Sequence, residues 1–172
     1  MVSIGPYSQS MNYTYMFDKG DLRGPLPLKE TCPTTLSGII ARHPDFTHFK
    51  YILKLAKLEA ILDDPDANVT LFVPSDMALN KVMDPSVFLN MDLATARHIV
   101  LGSSLERKIT SAVLSDSPAS WINTRDPPNR LFVTTIRGHT RINNSINVIH
   151  KDIQASNGLI HVVDNMIIPI IV

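Results

Sequence analysis

Apolar residues fall at Leu36, Ile39 and Ile40, and then, past Asp45, at Phe46, Phe49, Ile52, Leu53 and Ala56. Steps of three and four residues place such positions on one face of a helix, so two consecutive amphipathic helices are expected. Asp45 stands where the second helix would take its N-cap, and Asp63-Asp64-Pro65 stops the chain after Ile61 and Leu62. The pattern then changes. Val69-Thr70-Leu71-Phe72-Val73 is β-branched and aromatic, is bounded by Asn68 and Pro74, and is short enough for a strand buried on both faces. Ser75 follows as an N-cap whose oxygen can accept a first-turn amide proton, while Asp76 complements the positive end of the new helix. A further helical stretch covers Asp92 to His98 and runs into Ile99-Val100-Leu101.

From residue 109 onward short strands replace helices. Leu131 to Ile136 and His139 to Asn143 flank Arg137-Gly138, a pair suited to a tight hairpin, and Ile146 to Ile153 follows Asn144-Ser145. Asn157-Gly158 is a further turn signal, and Leu159 to Val163 is the most apolar strand. Pro118 and Asp126-Pro127-Pro128-Asn129 punctuate a longer loop that carries Trp121. Helices first and mostly antiparallel strands afterwards give an α+β class, not a doubly wound sheet. Residues 1–31 hold Gly5, Pro6, Gly20, Gly24, Pro25 and Pro27 without sustained periodicity. They read as an extended N-terminal lead-in to a domain spanning 32–172.

Composition narrows the function. The 172 residues suit one domain with a real core, and 16 Lys and Arg balance 16 Asp and Glu. Without a basic excess or an aromatic and basic platform, nucleic acid and anionic membrane surfaces are not expected partners. Leu159 to Val172 is interrupted by His161, Asp164, Asn165 and Pro169 and falls short of the ~20 apolar residues of a membrane span, so no membrane insertion is expected. The N-terminal residues lack the charged start and apolar core of a secretory signal. Cys32 is the single cysteine, which excludes an internal disulfide; it reads as an unpaired, partly buried thiol.

An enzyme should leave a constellation of catalytic groups. The histidines at 43, 48, 98, 139, 150 and 161 form no HExxH or other tight ligand spacing, so neither a metal nor a cofactor is expected. There is no Gly-x-Ser-x-Gly elbow, Walker loop or Gly-x-Gly-x-x-Gly. The pair Asp63-Asp64 and the residues Asp116 and Asp126 read as solvated turn residues rather than a general acid and base. His161 alternates into a strand where its ring can pack and hydrogen-bond, and Ser75-Asp76 is explained by capping.

Two segments resemble the signatures of the fasciclin (FAS1) domain family. Thr70-Leu71-Phe72-Val73-Pro74-Ser75-Asp76-Met77-Ala78-Leu79 is similar to the first, and Asn157-Gly158-Leu159-Ile160-His161-Val162-Val163-Asp164, closing at Pro169, to the second. The resemblance runs from about Thr34 to Pro169. It implies a wedge-shaped β-sandwich of mostly antiparallel strands with helices packed at one side, extracellular or cell-surface placement, and adhesion through integrins or matrix proteins, with self-association as a further mode. Members carry a Tyr-His pair implicated in integrin contact; here Arg97-His98 stands in its place, with arginine where the tyrosine would be, and His98 reads as satisfied by backbone hydrogen bonds beside the core. Lys151-Asp152-Ile153-Gln154 resembles the Asp-Ile element of adhesive members. The resemblance thus implies partner contact at Asp152, Ile153 and His98, with the Asp152 carboxylate offered to a receptor-bound cation. In a secreted protein, Asn12, Asn68 and Asn143 would be N-glycosylation candidates. The alternative expectation is a carrier of a small apolar ligand, a lipid or pigment, in a groove among the many Ile, Leu and Met residues.

Overall fold

A computed structural model describes residues 34–167, so the expected lead-in over residues 1–31, Asn12, Cys32 and Pro169 lie outside the described residues. Helix α1 (Leu36–Arg42) starts at Thr35, whose hydroxyl accepts from Gly38 N at 3.1 Å. Helix α2 (Thr47–Ala56) takes no cap from Asp45 or from its own N-cap residue, Phe46. The acceptor comes from another helix instead: His48 N donates to Asp76 Oδ1 at 2.8 Å, and Asp76 N returns a bond to Asp45 O at 2.8 Å. The sequence reading of one helix through Leu62 is also corrected. Lys57 adopts a left-handed φ of 58°, with Lys57 N bonded to Lys54 O and Leu58 N to Leu53 O, a Schellman ending that separates α2 from α3 (Glu59–Asp63). Leu58 is buried past the break, which is why the apolar period hides it.

Helix α4 (Asp76–Val82) is capped by Ser75, which accepts from Ala78 N at 3.1 Å, as expected. Two short helices have no expectation behind them: α5 (Pro85–Leu89), capped by Asp84, and α7 (Ser111–Asp116), capped by Thr110. Between them α6 (Leu93–Gly102) starts at Asp92 and runs unbroken through Ile99-Val100-Leu101.

Among the described residues, seven strands form one mixed sheet: β1 (Val69–Pro74), β2 (Ser104–Leu105), β3 (Ala119–Asn123), β4 (Arg130–Ile136), β5 (His139–Ile142), β6 (Ile146–Ala155) and β7 (Gly158–Val163), in the order β2-β1-β7-β6-β5-β4-β3. All neighbours are antiparallel except β1 and β7, which run parallel from Val69 opposite Gly158 to Pro74 opposite Val163. Just after β3, Arg125 N donates to Ser104 O of β2 at 3.0 Å, so the two sheet edges meet and the sheet nearly closes. Trp121, expected in a loop, lies on β3 opposite Phe132; the short strand is masked in sequence by the prolines on either side.

Strands β1 and β7 are buried throughout, and their alternation divides the interior in two. Val69, Leu71, Val73, Ile160 and Val162 face the helices with Leu36, Phe49, Ile52 and Val100. Phe72 and Val163 face the other way, onto Leu105, Leu114, Val133 and Ile142 inside the curled sheet. The α+β fold with helices at one side is thus as expected: a two-residue period on two central strands serves both layers at once.

The second signature is bound into this frame. Asn157 is 2% exposed; its Oδ1 accepts from Leu36 N and its Nδ2 donates to Leu62 O and Asp64 O, each at 2.8 Å. One side chain therefore satisfies the start of α1 and the end of α3. Gly158 is not a turn residue but the first residue of β7, where a Cβ would stand 2.1 Å from Val69 O.

Candidate functional site

Strand β6 loses register against β7 twice between Val148 and Ile153, and within this irregular stretch Asp152 takes a φ of 59°. The distortion turns its side chain toward the start of α7. Ser111 N donates to Asp152 Oδ1 at 2.9 Å and Ser111 Oγ donates to Asp152 Oδ2, so both carboxylate oxygens are engaged at a helix N-terminus, where negative charge is stabilised. Asp152 N donates in turn to His161 Nδ1 at 3.1 Å, and His161 Nε2 meets Ile109 O at 2.9 Å. Those partners assign the proton to Nε2. The ring is fully buried and stacks on Phe72 at 5.5 Å, and burial pushes its pKa below the ordinary histidine value, keeping it neutral.

Serine, aspartate and histidine therefore meet here without the order a relay needs. Both imidazole nitrogens are occupied by backbone groups, and Ser111 bonds the carboxylate rather than a base. The arrangement holds the 106–111 connection against the sheet. Thr70 reinforces it, donating to Arg107 O at 2.6 Å and accepting from Ile109 N at 2.7 Å. A partner's cation would meet an Asp152 carboxylate that already holds Ser111 through one bond on each oxygen. Ile153, next along, is half-buried and packs against the helix-side core.

His98 differs from its expected setting beside the core. Its side chain is 61% exposed, and Nδ1 lies 2.8 Å from Asp126 Oδ2, a carboxylate also bonded by Asn129 Nδ2 at 2.9 Å. The partner is thus a side chain of the loop after β3, not backbone, because α6 turns this residue outward. Arg97 has a structural task of its own: Nε donates to Ala56 O at 2.9 Å, capping the end of α2. No hydrogen bond or ion pair among the described residues joins His98 to Asp152, so the three expected contact residues fall on two separate constellations. Of the glycosylation candidates, Asn68 is exposed just before β1, whereas Asn143 is half-buried and accepts from Phe132 N at 3.0 Å through Oδ1.

Sequence reasoning passed over the outward face of strands β3 to β6. Trp121, 55% exposed, packs on Phe132 at 5.0 Å, with the Arg130 guanidinium 4.8 Å from its ring. The same face continues past Thr134 into a groove of about 890 Å³ lined by Ile136, Arg137, His139, Arg141 and Ile149. One signal could have found it: no Asp or Glu lies between Asp126 and Asp152, while Arg130, Arg137, Arg141 and Lys151 do. Such a lining does not select a purely apolar ligand. Among the described residues no group of His, Cys, Asp and Glu is placed to hold a metal ion, and no helix is long and apolar enough to cross a membrane.

Comparison with known proteins agrees with the architecture. The family model of the fasciclin domain matches residues 44–169. Among solved structures, a FAS1 domain pair from the insect cell adhesion molecule fasciclin I superposes with a TM-score of 0.68 at 22% identity, over 78% of this chain and 51% of that one. The chain thus spans about half the length of that domain pair. No curated protein sequence gives a significant match.

Proposed function

Because the chain belongs to the fasciclin domain family, we propose that it works as a non-enzymatic adhesion or protein-interaction domain at the cell surface or outside the cell. The observation that carries this reading is the use to which the signature residues are put. Ser75, Asp76, Asn157, Gly158 and His161 are spent on caps, a close strand approach and a buried neutral histidine, so the chemistry-bearing side chains hold the scaffold and the outward faces are left for partners. The module is taken as residues 32–172 behind a lead-in of residues 1–31.

The partner we propose is an integrin-type receptor or a matrix protein, contacted through Asp152 and Ile153, with His98 on α6 as a separate point of contact. The experiment is adhesion of cells, or capture of purified integrin, on immobilised protein with and without a chelator. Asp152→Ala is expected to abolish cation-dependent binding. It also removes the support of α7, so Ser111→Ala is the partner variant: it loosens the same helix but leaves the carboxylate available, and adhesion should persist or rise. Equal loss in both variants would mean that Asp152 only positions α7 and makes no receptor contact. Expression through a secretory pathway should add glycan mass that Asn68→Gln removes.

A further inference from the structure

We infer that the outward face of strands β3 to β6 is a docking surface for an acidic peptide segment bearing apolar side chains, supplied by a protein partner. This rests on the interaction-domain reading and names a surface and a partner chemistry for it.

The face is continuous by register. Trp121 stands opposite Phe132; Ala119, Thr134, Arg141 and Asn147 form the next outward row, and Ile136 stands opposite His139 beyond it. From Arg130 to Ile136 strand β4 spans about 20 Å, the reach of roughly six extended residues. An aromatic pair backed by a cation occupies one end, and the groove with Arg137, His139 and Arg141 occupies the other.

Charge complementarity decides the sign of the occupant. The chain as a whole is neutral, yet four cationic side chains and no carboxylate fall between Asp126 and Asp152. Among the described residues the one carboxylate in the groove lining is Asp164, which leaves the lining net cationic beside Arg137 and Arg141 and is turned onto Asn147: Oδ1 accepts from Asn147 N and Oδ2 from Asn147 Nδ2, both at 2.8 Å. Asn147 Oδ1 then accepts from Arg141 Nε at 3.2 Å. Asp164 thereby acts through Asn147 to hold the Arg141 guanidinium in place, so part of the ordering cost of binding is met before a ligand arrives. Arg137 is set by the hairpin turn, at φ 53°, and Lys151 is tethered to Gly138 O.

Apolar side chains decide the class. Trp121, Ile136 at 67% exposure and Ile149 at 47% interleave with the cations. A glycan or phosphate polyanion gains little from the exposed isoleucines, whereas a peptide mixing carboxylates with leucine or phenylalanine matches both components. Strands β4, β5 and β6 are paired on both sides, so the peptide would lie across side chains and not add as a strand.

The test is fluorescence anisotropy with a dye-labelled peptide of alternating Glu and Leu about seven residues long, beside its Gln/Leu counterpart and a heparin oligosaccharide. The acidic peptide should bind, weaken with salt, and lose about fivefold with each of Arg137→Gln, Arg141→Gln and Trp121→Ala. Lys54→Gln on α2 should change nothing, and circular dichroism should show every variant folded. Equal binding of the Gln/Leu peptide, absence of binding, or heparin binding untouched by Trp121→Ala and Ile136→Ser would overturn the assignment; the last result would mark a polyanion surface instead. Protein that supports adhesion yet ignores the peptide would defeat this inference alone and leave the adhesion reading standing.

Discussion

A methyl group on Gly158 would meet Val69 O at 2.1 Å and Leu36 Cδ1 at 2.9 Å. The first neighbour is backbone of the paired strand, so the sheet must open to admit it, and Gly158→Ala should destabilise the domain by about 3 kcal/mol in urea unfolding. The dipeptide Asn157-Gly158 was visible in sequence as a turn, but the turn is Ser156-Asn157, and the glycine is there for closeness to β1. Half-buried His43 and buried His161 set a pH dependence. Burial takes His43 from 6.5 down to about 4, against the carboxylates of Asp45 and Asp76 and with His150 pressing the same way, and burial also lowers His161. Below pH 6.5 the unfolded chain takes up protons that the folded one refuses, so stability falls as pH drops from 6.5 towards 4 and is flat above. Urea midpoints across that range should trace this loss, and His43→Gln should shallow it.

Helices and strands were legible where their period was long and their ends carried caps on the same segment. Ser75 announced α4 in this way, and Asp92, read as the first residue of a helical stretch, is the N-cap of α6. Helices α5 and α7 are too short to establish a period, though Asp84-Pro85 and Thr110 mark their starts. The end of α2 was hidden because a lysine, not a glycine, takes the left-handed position. Its start was misassigned because the cap comes from Asp76, 28 residues away. Asp76→Ala should therefore lower stability by about 1 kcal/mol, read as a small drop in Tm, with Asp76→Asn milder. Asn157→Ala should cost more, about 3 kcal/mol, because it strands buried groups of α1 and α3 together.

Because β1 and β7 present one face to each core, neither layer can lose order without exposing the other. The chain has one tryptophan, Trp121, on the sheet side, whereas far-ultraviolet dichroism is dominated by the helices. Unfolding followed by the two probes should give coincident curves, and both should shift together in Phe72→Ala, which opens a cavity on the sheet side alone at a cost of about 3–4 kcal/mol. Separate midpoints would mean that the layers are independent.

The α+β class and the doubly buried strand at Val69–Val73 follow from residue order alone, since periodicity and local motifs are properties of neighbouring residues, whereas Asp152, Ile153 and His98 entered as candidates only through the resemblance to a family. Which acceptor each amide finds does not follow from it. Asp76 serves α2, Asn157 joins α1 to α3, Asp152 anchors α7, His98 meets Asp126, and the cations of β4 to β6 gather on one face because distant segments were brought together by packing. Hydrogen bonds and fields act over a few ångströms of space, whatever the separation along the chain, and only the tertiary structure sets those distances.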